Sequence, residues 1–267
     1  QEPAFKASTK RYIREVVDRI YSVFTEPPLI AYIVGSELSA GSILATDAAH
    51  PDIDRYQGTF ITTDTTMTAT EAFLAEMADY TKSYESQSYG NTSLVSYATE
   101  VRTADILETP FLDFRCHNTY SYAVPYYRPQ TTPGSHSGTL FQGYVEEIKS
   151  RHPQVPLLIS ESGLSVSPHA PHIGPPNYGY GGNTEAEQAA GLLQNIEDTG
   201  TTLLPTAGIC VHEYLDAWWK FGLEDSYSQD PYDIEEWFGI VRLTADQDWY
   251  STVFRSAYEV IRQAWVE

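Results

Sequence analysis

Apolar runs too continuous to leave one face wet, each followed by a stretch of helical periodicity, constrain this chain more than any other feature. PLIAYIVGS (28–36), PLLIS (156–160) and GICV (208–211) lack the polar alternation of a half-exposed strand. Between such runs the period changes. Ile13, Val16, Val17, Ile20 and Phe24 fall on one face of a helix predicted over 7–24, which Pro27 and Pro28 stop. Further helices are predicted over 70–86, with Thr70 as N-cap, and over 139–152, 184–199 and 249–265. Strands are predicted at 28–35, 93–100, 111–122, 156–160 and 207–214. Buried strands alternating with amphipathic helices imply an α/β fold, a parallel sheet covered by helices.

Among such folds a (β/α)8 TIM-barrel type is favoured over a doubly wound sheet. No Gly-rich phosphate loop follows any strand, and charged and aromatic residues recur at strand C-termini. The count does not close, because about five strand and helix units are visible where a complete barrel has eight. The segment 39–69 offers only a short hairpin candidate, TFITT at 59–63. Two explanations stand. Either the chain is a C-terminal portion of a longer barrel, or loops conceal the other strands. In both, residues 1–267 form a single barrel catalytic domain with its first three strands lacking or obscured.

A formal net charge of -20, from 16 basic against 36 acidic residues, repels nucleic acid phosphates, anionic membrane surfaces and anionic polysaccharides. A neutral glycan is tolerated. The 13% aromatic content, with 20 tyrosines, suits stacking against sugar faces, although core packing absorbs many such rings. No stretch approaches a membrane helix, and QEPAFKASTKRY lacks an apolar signal core, so an exported protein would have its signal removed or upstream. Cys116 and Cys210, on two separate strands, read as buried free thiols.

Glu37 in IVGSEL and Glu161 in ISESG each end a buried strand. Barrel enzymes present acid/base groups in this way, and two such carboxylates point to glycoside cleavage. Read blandly, each is a solvated loop acid or a helix cap. His169 and His172 lie in an extended Pro-rich loop, and Asp47, His50, Asp52 and Asp54 lack the Gly turn and terminal Glu of a calcium loop. Neither group predicts a metal, and no cofactor is expected.

These motifs, in this order, resemble glycoside hydrolase clan A, closest to bacterial barrel proteins annotated near family 2. PLLISESG is similar to the seventh-strand motif and IVGSEL to the fourth. The resemblance implies a retaining glycosidase or transglycosylase with Glu161 as nucleophile, Glu37 as acid/base and Tyr120, in HNTYSY, as the donor to Glu161. It further implies substrate contacts from Ser36, His117, Asn118, Tyr214, Asp216, Trp218 and Trp219, with Tyr214 flooring the sugar site and a neutral β-glucan as substrate. Ser36 stands where the clan usually has Asn. That departure supports a second reading, a non-catalytic carbohydrate-binding or scaffolding barrel remnant. The sheet edges of an incomplete barrel would require a companion chain or a homo-oligomer.

Overall fold

The structure, a computed structural model, describes residues 1–63, 66–132, 138–220, 228–246 and 249–266. Contacts divide the chain into two compact units: Gln1–His117 with Gln154–Leu157, and Asn118–Pro153 with Leu158–Glu267.

The first unit contains α1 (Pro3–Val23), β1 (Ala31–Ser36), α2 (Ala40–Ala49), α3 (Ala69–Tyr89), β2 (Leu94–Glu100) and most of β3 (Arg115–Asn118). β1 and β2 run parallel, Ala31 opposite Leu94 and Tyr32 opposite Val95, until the register shifts between Ile33 and Ser36. Asp113 N–H then donates to Val95 O at 3.3 Å, and Ser96 Oγ to Phe114 O at 2.7 Å, so the chain entering β3 lies beside β2. Ile13, Val17, Ile43, Leu74, Met77, Val95 and Tyr97 form one apolar cluster. At its end Glu85 is fully buried, and its carboxylate accepts Ser93 N–H (2.6 Å), Ser93 Oγ–H (2.8 Å), Tyr21 Oη–H (2.9 Å) and Tyr32 Oη–H (3.1 Å). A buried charge is tolerable only when hydrogen-bonded in this way. These bonds tie α3 to α1, β1 and the start of β2.

The second unit contains α4 (Ala123–Tyr127), α5 (Leu140–Arg151), most of β4 (Leu157–Ser162), α6 (Glu185–Gly200), β5 (Gly208–Val211), β6 (Val241–Asp246), β7 (Trp249–Phe254) and α7 (Ser256–Val266). β4 and β5 run parallel, with a register shift between Ile159 and Ser162. Phe141, Tyr144, Val145 and Ile148 supply the buried face of α5. Ala189 and Leu192 of α6 meet Ala257 and Ile261 of α7. Asp216 and Arg255, both buried, form a two-armed ion pair at 2.6 and 2.8 Å that anchors the start of α7.

The α/β class with parallel strands stands, and several local expectations do not. The N-cap of α3 is Thr68, which exchanges hydrogen bonds with Glu71 in a capping box; Thr70 is the second helical residue. The segment 39–69 holds α2, capped by Ser39, while TFITT contributes only an isolated antiparallel bridge, Gln57 to Thr62. The 111–122 strand contracts to Arg115–Asn118. Residues 249–254 are a strand paired antiparallel with β6, so the last helix begins at Ser256. Cys116 is buried, but Cys210 is exposed; both are free. Among the described residues no helix is long and apolar enough to cross a membrane.

Candidate active site

In the second unit Ile159 is fully buried and holds β4 in place, delivering Glu161 at its C-terminal end with its side chain 35% exposed. The register shift between Ile159 and Ser162 spans this residue; such irregularities re-aim side chains at strand ends. The backbone is fixed on both sides, since Thr119 N–H donates to Glu161 O (2.8 Å) and His212 N–H to Ser162 O (2.9 Å). Gly163 explains the motif that follows. A Cβ there would sit 2.0 Å from His212 O and 2.8 Å from the Phe238 ring, so only glycine permits the close approach.

Tyr120 Oη–H donates to Glu161 Oε2 at 2.8 Å. His212 Nδ1 lies 4.0 Å from the same oxygen. Around them the rings of Tyr120, Tyr122, Tyr180, His212 and Phe238 pack at centroid distances of 4.8 to 6.3 Å. A carboxylate with an aromatic wall and an oriented hydroxyl donor has the chemistry of a nucleophile or base.

A charged group stands behind this wall. Lys220 Nζ–H donates to Glu213 Oε1 and approaches His212 Nε2, both at 2.9 Å, with Glu235 at 3.8 Å. Burial first, and the Lys220 charge second, push His212 down from 6.5 to about 4, so the ring is neutral at pH 7. Burial raises the Glu213 carboxyl, against the opposing pull of Lys220. Beyond Lys220 and Glu235 lies an open cleft of about 440 Å3, lined by Tyr180, Asp230, Tyr232, Asp233, Ile234 and Glu235.

Glu37 belongs to the first unit. It follows β1 directly, is exposed, and adopts φ 50, a left-handed conformation costly for a residue other than glycine. Its N–H donates to Ala98 O (3.0 Å) and the next N–H, of Leu38, to Tyr97 Oη (2.8 Å), which together hold the turn. Ser36 beside it is exposed.

The remaining expected site residues separate. His117 and Asn118 are buried, and Asn118 Oδ1 accepts Ser160 Oγ–H at 2.7 Å. Asp216 has a fully buried carboxylate, engaged by Arg255 and by Gly239 N–H. Trp218 is 6% exposed, its ring nearly perpendicular to that of Tyr250 at 5.8 Å. Trp219 and Tyr214 are well exposed, but β5 ends at Val211, so His212, and not Tyr214, is the first residue past the strand. His212 and Lys220 were the residues missed; the signal was HEY directly after an apolar run, with a lysine eight positions on.

The other polar groups have local partners. His169 stacks on Tyr232, His172 bonds Glu187 at 2.7 Å, and Asp47 accepts Thr70 N–H at 2.8 Å. Among the described residues no three His, Cys, Asp or Glu side chains cluster to hold a metal.

No protein-family model and no curated protein matches this sequence. Solved structures do match the fold. The β-glucuronidase of Ruminococcus gnavus superposes with a TM-score of 0.59 at 16% identity, over 99% of this chain and 36% of its own. Its complex with D-glucuronic acid gives 0.58 at 16% identity, over 98% and 36%. A β-glucuronidase from an uncultured Clostridium sp. gives 0.57 at 14% identity, over 96% and 36%. The likeness establishes a fold of the TIM-barrel type, and the chain spans about a third of the length of each of these proteins.

Proposed function

We propose that this chain carries the catalytic carboxylates of a retaining glycosidase acting on a neutral β-linked glycan. The observation that carries the reading is the 2.8 Å hydrogen bond from Tyr120 to Glu161 at a strand end, in a fold shared with glycosidases. A hydroxyl donor keeps a carboxylate ionised and aims its second oxygen.

Glu161 attacks the anomeric carbon as the glycosidic C–O bond breaks, and Glu37 gives its proton to the leaving oxygen. Water then returns a proton to Glu37, attacks the same carbon from the opposite side and releases Glu161. Configuration is retained over the two displacements, which require carboxyl groups about 5 to 5.5 Å apart. A sugar hydroxyl in place of that water gives transglycosylation.

The substrate's β configuration follows the structurally similar β-glucuronidases; their uronate does not. A net charge of -20 disfavours an anionic sugar, and Lys220 is already shared between His212 and Glu213. A β-glucan fits both points. Companion chains or self-association belong to the same proposal.

The test is Glu161→Gln and Glu161→Ala on aryl β-glycosides. Turnover should fall by about 10^4-fold or more, while the Gln variant still binds glycan by calorimetry. Azide added to Glu161→Ala should displace the aryl group and give the α-glycosyl azide, because it takes the side that the carboxylate has vacated. Glycan binding by a wild-type protein without turnover would instead establish the binding-module reading favoured by Ser36.

A further inference from the structure

The residues behind Glu161 form a directed chain. Lys220 Nζ is 2.9 Å from His212 Nε2 and 2.9 Å from Glu213 Oε1, and His212 Nδ1 is 4.0 Å from Glu161 Oε2. An ammonium group has three donors and no acceptor, so the imidazole nitrogen that faces it must present its lone pair. The hydrogen-bond network thereby assigns the single proton of neutral His212 to Nδ1, on the side of Glu161.

Resting on the glycosidase reading, we infer that Lys220 is a positioning residue, which holds His212 in the tautomer whose Nδ1–H faces the nucleophile. The 4.0 Å separation is longer than a hydrogen bond, yet an N–H dipole at that range still favours the anion. Glu161 Oε2 thus accepts the Tyr120 hydroxyl at 2.8 Å and has the imidazole Nδ1 4.0 Å away. The opposite tautomer would aim a lone pair at the carboxylate and disturb the Tyr120 contact.

The surroundings hold the ring as well as the proton. His212 N–H is bonded to Ser162 O on β4, and its ring meets Phe238 edge-on at 5.5 Å and Tyr120 at 6.3 Å. The ionisable groups facing it are Glu161 from β4, Tyr120 from the segment after β3, and Glu213 and Lys220 from its own loop, with Glu235 beyond Lys220. Burial and the Lys220 charge both act to keep the ring neutral, so it meets Glu161 as a dipole and not as an ion. A neutral donor orients the nucleophile without the tight ion pair that would blunt it.

The readout is the imidazole 15N spectrum of histidine-labelled full-length protein, with the His212 signals identified by their loss in His212→Gln. Wild type should show His212 protonated at Nδ1. Lys220→Met should mix the tautomers and lower kcat/KM on an aryl β-glycoside by about 100-fold, with an unchanged urea midpoint. Lys220→Arg, also a donor without an acceptor, should keep both spectrum and rate; Lys220→Gln, whose amide can donate or accept, stands in for the Met variant should that not fold. An Nε2–H tautomer in wild type, an unaltered tautomer in Lys220→Met, or a tautomer switch without loss of rate overturns the inference. If the wild type turns over no β-glycoside, the glycosidase reading fails and the spectra alone decide what Lys220 does to His212.

Discussion

Burial of His212 makes an imidazole that is neutral where an exposed one would begin to protonate. Its folded value, about 4, lies below the ordinary 6.5, so on acidification the unfolded chain takes up the proton first. The associated stability is fully present above pH 6.5 and is lost as the pH falls from there toward 4. The side chain is 22% exposed, so the loss is at most about 3 kcal/mol. Urea unfolding at intervals from pH 7 to 4 should show this slope in wild type, and His212→Gln should flatten it. The sequence carried the pairing of Glu161 with Tyr120 only through the resemblance of HNTYSY and PLLISESG to the clan's strand-end motifs. It did not carry the roles of His212 or Lys220, whose significance lies in the direction of one ring nitrogen. The left-handed turn at Glu37 was equally hidden, since a non-glycine residue there is held by Ala98 and Tyr97, far along the chain.

α6 shows what an element can announce about itself. Thr184 Oγ1 accepts Glu187 N–H, and the Glu187 carboxylate accepts Thr184 N–H, a reciprocal cap readable as T-x-x-E before an apolar period. The Thr184 N–H bond, followed by His172, pushes Glu187 down from 4.5 to about 2, so its contribution is present above pH 4.5 and fades toward pH 2. Thr184→Ala should destabilise the protein by about 1 kcal/mol, seen as a lowered urea midpoint with unchanged slope and unchanged kcat/KM. The missed elements lacked such signals. α2 buries only Ile43, so its period is weak. In β7, Val253 and Phe254 are 37% and 52% exposed, and the same residues match a helical period until the pairing with β6 is known.

Across the whole molecule, charge is the property that sequence states most directly. With a net charge of -20, approach of an anionic glycoside is opposed at long range and approach of a neutral one is not. Raising ionic strength until the Debye length shortens from ~30 Å to ~10 Å should lower KM for an aryl β-glucuronide several-fold and leave KM for an aryl β-glucoside unchanged. A steep drop in glucuronide turnover with salt would mean that a local cationic site outweighs the overall field. Fold class was legible for a related reason: apolar continuity and helical period are local statistics of the chain, and alternation of the two admits few architectures. The same statistics produced an N-cap two residues off and a helix where a hairpin stands, because ends and pairings depend on distant residues. Residue order alone was enough for a parallel α/β fold with a carboxylate at each of two strand ends, since burial along a strand is written in its side chains. Packing in three dimensions determined that Asp216 and Trp218 are interior, that Gly163 must be glycine, and that Lys220 reaches His212 beside Glu161. All but the eight-residue reach from Lys220 to His212 depend on atoms brought close across tens of residues, and no local pattern encodes such distances.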